Sequence, residues 1–127
     1  AMHAGQEGLL TTFHAHSPAD ALYRLATLAL RANSELSVAA LERQIRSSID
    51  LIVQMERFSA GTRRVTHISE VRSSAETKLP VDLFALNEER CDSDRSLQAT
   101  WIRPAFLDRL ARRGVPVDDI FRPNPSL

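Results

Sequence analysis

Apolar and polar positions along the chain change period several times, and each change marks an expected element. Leu9 to Ala15 follows the Gly5–Gly8 turn and contains Thr11, Thr12 and Phe13, which favour extended backbone, so a strand is expected there. Ser17-Pro18-Ala19-Asp20 is a helix start, with Ser17 as cap, Pro18 in the first turn and Asp20 three residues after the cap. Leu22, Leu25, Ala26, Ala29 and Leu30 then recur at helical spacing, and Asn33-Ser34 ends the helix. Ser37 caps a second helix whose stripe is Val38, Leu41, Ile45 and Ile49, with Glu42 and Arg46 facing water.

Beyond Asp50 the period shortens. Leu51 to Glu56 reads as a strand that starts fully buried and emerges into alternation. Ser59-Ala60-Gly61-Thr62 is a turn and Arg63 to Val71 the returning strand, so Leu51 to Val71 forms a β-hairpin. Ser73 to Lys78 is a polar connection, and Val81 to Leu86 is a further short strand. Residues 87–96 form an exposed charged loop, and Leu97 to Ile102 one more strand. Pro104 opens a short helix with Phe106, Leu107 and Leu110 on one face; Arg112 and Arg113 suit its C-terminal dipole, and Gly114 ends it. Val117, Ile120 and Phe121 precede a Pro-rich tail, 122–127.

At 127 residues the chain is long enough for one domain with its own core. Sixteen basic and sixteen acidic residues give zero net charge, so no global field draws it toward nucleic acid or an anionic membrane. The single cysteine, Cys91, has no internal disulfide partner, which fits a reducing compartment. No apolar run is long enough to span a bilayer, and no signal peptide is read at the N-terminus.

The candidate chemistry is concentrated near the start. His14 and His16, two apart on the expected strand, share a face and could join His3 around a metal, but no Cys, Asp or Glu stands at ligand spacing, so a surface histidine pair is the better reading and no metal is assigned. No serine sits in a nucleophile-elbow turn, Cys91 reads as an incidental thiol, and His67 as a packed or solvated strand histidine. Arg63 and Arg64 at the hairpin mouth could contact phosphate or a neighbouring subunit. A strand ending at His14 and followed at once by a capped helix puts the imidazole where open α/β sheets bind ligands, placed to donate to a phosphate oxygen.

The segment Ala4-Gly5-Gln6-Glu7-Gly8-Leu9-Leu10-Thr11-Thr12-Phe13-His14-Ala15-His16-Ser17-Pro18 resembles the histidine box of the secretion-system ATPases, and within them the CpaF-type pilus-assembly branch. Asp20-Ala21-Leu22-Tyr23-Arg24-Leu25, Gln44 to Val53, Arg63-Arg64-Val65-Thr66-His67-Ile68-Ser69-Glu70-Val71, Leu83-Phe84 and Ile102-Arg103-Pro104 with Phe106-Leu107 resemble later segments of that branch, in the same order. The resemblance implies an α/β fold: the C-terminal half of a RecA-like P-loop ATPase domain, with a β-hairpin, further short strands and three to four helices. Residues 1–127 would be a single partial domain.

By the same resemblance His14 matches the histidine that senses the γ-phosphate, with Gln6, Thr11 and Thr12 in the same nucleotide-sensing box. Gln6 stands where the family has its first histidine and cannot take a charge; His16 stands for the box asparagine. The family is a hexameric, cytoplasmic motor peripheral to the inner membrane that hydrolyses ATP with Mg²⁺ to drive type II or type IV secretion or pilus assembly. This sequence contains no Gly-x-x-x-x-Gly-Lys-[Ser/Thr] and none of the family's acidic metal motifs, so neither ATP nor Mg²⁺ is expected to bind tightly and the chain alone is expected to be inactive. Met2 would then be an internal methionine at which a truncated or mis-called frame begins, the other reading being a deliberately cut domain. Strands missing from such a fragment would leave a sheet edge and an apolar face open, so a dimer or higher homo-oligomer is expected. The alternative is a stand-alone, non-catalytic interaction module derived from the family.

Overall fold

The computed structural model describes residues 8–32, 36–59, 61–72, 79–87 and 96–117. Three helices and a four-stranded antiparallel sheet make up a mixed α/β chain. Contacts divide it into two compact units, one of residues 1–50 and 71–80, the other of residues 51–70 and 81–127.

The first unit is helical. Helix α1 spans Pro18–Ala32 and α2 spans Val38–Ser48. Both starts are capped as their sequences require. The Ser17 Oγ accepts from the Asp20 N–H at 3.1 Å, and the Ser37 Oγ accepts from the Ala40 N–H at 3.3 Å. α1 packs on α2, with Ala21, Leu22, Ala26 and Leu41 buried. Val38, by contrast, lies exposed at the first position of α2. The backbone N–H of Val71 donates to the Asp50 carbonyl at 3.0 Å, joining the two ends of this unit's chain segments.

The second unit is the sheet, in strand order β1 (Leu51–Arg57), β2 (Arg63–Glu70), β3 (Val81–Leu86) and β4 (Leu97–Ala99). The expected hairpin and the Val81 to Leu86 strand are therefore present. Gly61 takes φ 81° in the hairpin turn, a conformation that favours glycine. Two β-bulges punctuate the ladders. β2 has an extra residue, Thr66, opposite the Gln54–Met55 step of β1, and β3 has Leu83 opposite the Ile68–Ser69 step of β2. Both extra residues are buried. A short helix, α3 (Leu107–Arg112), follows, ending as expected at Gly114 with φ 80°.

Buried polar groups tie this unit together. Glu70 is buried, and its carboxylate accepts from the backbone N–H groups of Ala105 (3.0 Å) and Phe106 (2.9 Å). Fully buried Ser69 donates to its cross-strand partner Asp82. The Thr100 hydroxyl lies 2.7 Å from the Asp82 carbonyl and 3.1 Å from that of Leu83, so it can satisfy the backbone that the β3 bulge frees.

Four expectations are corrected. Residues 9–15 form no strand; they run irregularly and mostly exposed, because a strand requires a ladder partner and no described segment supplies one. The last strand stops at Ala99 rather than Ile102, since Trp101 adopts φ 62°, which no strand accommodates. β1 does not begin buried: Leu51 is exposed and the inward position is the polar Gln54. The cause is its place at the sheet's edge, where only one neighbour covers it. The short helix begins at Leu107, after a Pro104–Phe106 turn, rather than at Pro104. Most of the 87–96 loop, Cys91, Ile120, Phe121 and the 122–127 tail lie outside the described residues. Among the described residues no helix is long and apolar enough to cross a membrane.

Candidate functional site

The start of α1 organises the region that the sequence singles out. Pro18 presets the helical φ of the first turn, and Ser17 captures the Asp20 N–H. The Asp20 carboxylate reaches back to accept from the His16 backbone N–H at 2.9 Å and forward to the Arg24 Nε at 2.8 Å. These contacts hold its pKa below the ordinary value, the His16 N–H contributing most and the Arg24 guanidinium adding to it. One carboxylate thus fixes both the entry of the 9–16 segment into the helix and the placement of Arg24.

An open groove of about 400 Å³ lies beside this start, within the range of small-ligand sites. His14 and Phe13 of the entering segment line one part, and Asp20, Tyr23, Arg24 and Arg31 of α1 another. Thr27 and Leu28 complete it. Positions 20, 24, 27 and 31 are spaced three or four residues apart, with 28 four beyond 24, so they fall on one helical face. That periodicity was open to sequence reading, but the apolar stripe on the core side of the same helix dominates the pattern. Arg24 is engaged by Asp20, while Arg31 stands in the last turn, where a cation also complements the helix dipole. The combination of two guanidinium groups, an imidazole and three exposed apolar side chains (Phe13, Tyr23 and Leu28) suits an anionic group carried on an apolar or aromatic body.

The other candidate residues fall elsewhere. Thr11 and Thr12 are exposed on the irregular segment and do not line the groove. Gln6 and His3 lie outside the described residues. His14 keeps its position immediately before a capped helix but not at the end of a strand, so the sheet-edge argument for it falls away. Arg63 and Arg64 belong to the second unit, at the mouth of the hairpin, where the Arg64 guanidinium sits 5.8 Å above the Phe58 ring centroid. His67 is half-buried in β2, its Nδ1 3.1 Å from the Thr66 Oγ1, which in turn donates to Glu56 at 3.4 Å. Among the described residues no three His, Cys, Asp or Glu side chains converge as metal ligands would.

No protein-family model matches the chain, and no curated protein matches it significantly.

Proposed function

We propose that the chain is the histidine-box-bearing, C-terminal part of a RecA-like secretion or pilus-assembly ATPase, serving as a phosphate-sensing element and not as a complete motor. The observation that carries this reading is the groove in which His14 stands with Arg24 and Arg31. An imidazole set beside guanidinium groups on one helix face offers the groups that bind and report a phosphoryl oxygen. The ordered series of segments resembling the family, from the histidine box to Ile102-Arg103-Pro104, supports the same reading. The full-length relative would hydrolyse ATP with Mg²⁺, in the cytoplasm against the inner membrane, as a hexamer that engages export or pilus components. Without a phosphate-cradling loop in these 127 residues, this chain performs no hydrolysis.

A second reading, a non-catalytic interaction module, is favoured by the exposed Phe13, Tyr23 and Leu28 along the same groove. Titrating inorganic triphosphate and Mg·ATP into the ¹⁵N-labelled chain separates the two. Sensing predicts amide and side-chain shifts centred on His14, Arg24 and Arg31 with affinity on the order of 1 mM, abolished by His14→Ala. Groove resonances unmoved at saturating triphosphate would defeat the sensing reading and leave the module. Micromolar affinity or measurable phosphate release would defeat the claim that the motor's core is missing.

A further inference from the structure

The edge of the sheet carries a second site, independent of the nucleotide reading. β1 is an outer strand in the order β1-β2-β3-β4. Its apolar residues point away from cover: Leu51 is 42% exposed, Val53 55% and Met55 57%, while Gln54 between them is 8% exposed. Cross-strand partners share a face, so Val53 continues into Ile68 and Phe84, and Met55 into Val65. An apolar stripe therefore runs across the sheet and ends, uncovered, at its rim.

The backbone of that rim can be assigned from the ladder. The Val71 N–H donates to the Asp50 carbonyl at one end, and the Phe58 N–H to the Thr62 carbonyl at the other. Hydrogen-bonded pairs alternate along an antiparallel ladder, so Ile52, Gln54 and Glu56 direct their amides to β2. Leu51, Val53, Met55 and Arg57 direct theirs outward. The four residues with outward amides include the three exposed apolar ones. Nothing along the strand blocks pairing: Leu51–Arg57 contains neither proline nor lysine, and its charged pair, Glu56 and Arg57, sits only at the far end.

We propose that this edge pairs with β1 of a second copy of the chain, antiparallel about a two-fold axis through Gln54. In this register Val53 lies beside Met55 of the second copy and Leu51 beside its Arg57. Every outward N–H and C=O of the strand then meets a counterpart, because outward residues face outward residues. The apolar stripe continues unbroken across the axis, from Val53 to the other copy's Met55 and Val65. Charge selects the same arrangement. The strand is flanked by Asp50 at its start and ends in Arg57, and the hairpin beyond it adds Arg63 and Arg64. Antiparallel pairing about Gln54 brings each Arg57 toward the other copy's Asp50 end. A register shifted toward the hairpin tip would crowd the arginines of both copies together. An unrelated peptide strand could satisfy the same amides, but the match of apolar to apolar and basic end to acidic end is intrinsic to two identical strands.

Sedimentation velocity on the complete chain tests this, with two substitutions. The wild-type chain is expected to move with concentration from its 14.2 kDa mass to twice that value. Val53→Pro removes an outward N–H and no bond to β2, so it should keep the far-ultraviolet circular dichroism and weaken self-association by about tenfold or more. Gln54→Cys, in a Cys91→Ser background, sits on the axis as a non-hydrogen-bonded pair, where Cα atoms are ~4.5 Å apart, close enough for a disulfide. It should cross-link two copies on mild oxidation, and Arg57→Cys should not. A wild-type chain that stays monomeric at about 1 mM would overturn the proposal, as would a dimer unaffected by a folded Val53→Pro. Should Val53→Pro fail to fold, the cross-link decides: Arg57→Cys cross-linking in place of Gln54→Cys overturns the pairing.

Discussion

The two units hold their polar groups in opposite ways. In the helical unit several side-chain hydrogen bonds are local: Ser17 to Asp20, Asp20 to His16 and Arg24, Thr27 to Tyr23, and Ser37 to Ala40 each span three or four residues. In the sheet unit several reach far along the chain. Ser69 and Asp82 are thirteen residues apart, Thr100 and Asp82 eighteen, and Glu70 lies thirty-five and thirty-six from the amides it receives. Local bonds shape an element whether or not the rest is folded, whereas distant ones form only after loops close and so fix tertiary structure. The candidate site stands on the first kind of bond and the pairing edge belongs to a unit held by the second.

The largest effect is expected at Glu70. Glu70→Ala would remove the buried carboxylate that accepts from the Ala105 and Phe106 amides and lower the stability of the sheet unit by about 3 kcal/mol, read from urea unfolding followed by Trp101 fluorescence. A loss under about 0.5 kcal/mol would mean that the long-range contacts are incidental. Thr100→Val keeps the shape of the side chain but removes the hydroxyl that serves the β3 bulge. About 1.5 kcal/mol should be lost, with faster amide exchange at Leu83 and Phe84.

In the helical unit the corresponding test is milder. Ser17→Ala removes the cap of α1 and should cost about 1 kcal/mol, with fraying confined to the first turn in carbon chemical shifts. A loss as large as that of Glu70→Ala would erase the contrast between the units.

The smallest effect concerns acid. The folded pKa of Asp20 lies below its ordinary 3.8, so its carboxylate contributes stability above that value, and the contribution disappears as pH falls through the lower folded pKa. The amides of His16 and Asp20 should therefore shift together below about pH 4 in NMR titration, and Asp20→Asn should remove that transition.

The same division explains what the sequence revealed. The caps at Ser17 and Ser37, the turn at Gly61 and the helix stop at Gly114 were legible because each is decided within about four residues. Residues 9–15 misled because β propensity speaks only of suitability for a strand, while a ladder needs a partner. Leu51 misled for a related reason: an apolar run looks the same at the centre of a sheet and at its rim. Glu70 and Ser69 gave no signal, since nothing in their neighbourhood announces Ala105 or Asp82. At the candidate site the sequence pointed to His14. Its groove partners Arg24 and Arg31 were hidden on the polar side of a helix whose apolar side was easier to see.

Trp101 combines several of these features. It is the only tryptophan, half-exposed in a left-handed backbone conformation between Thr100, which ties the bulge, and the turn that Glu70 clamps. The only tyrosine, Tyr23, lies in the groove of the other unit. Each unit therefore carries its own intrinsic chromophore. Red-edge excitation reports the sheet alone, and the phenol's ultraviolet absorbance reports the helices, so the unmodified chain can reveal whether its halves melt as one cooperative body or as two.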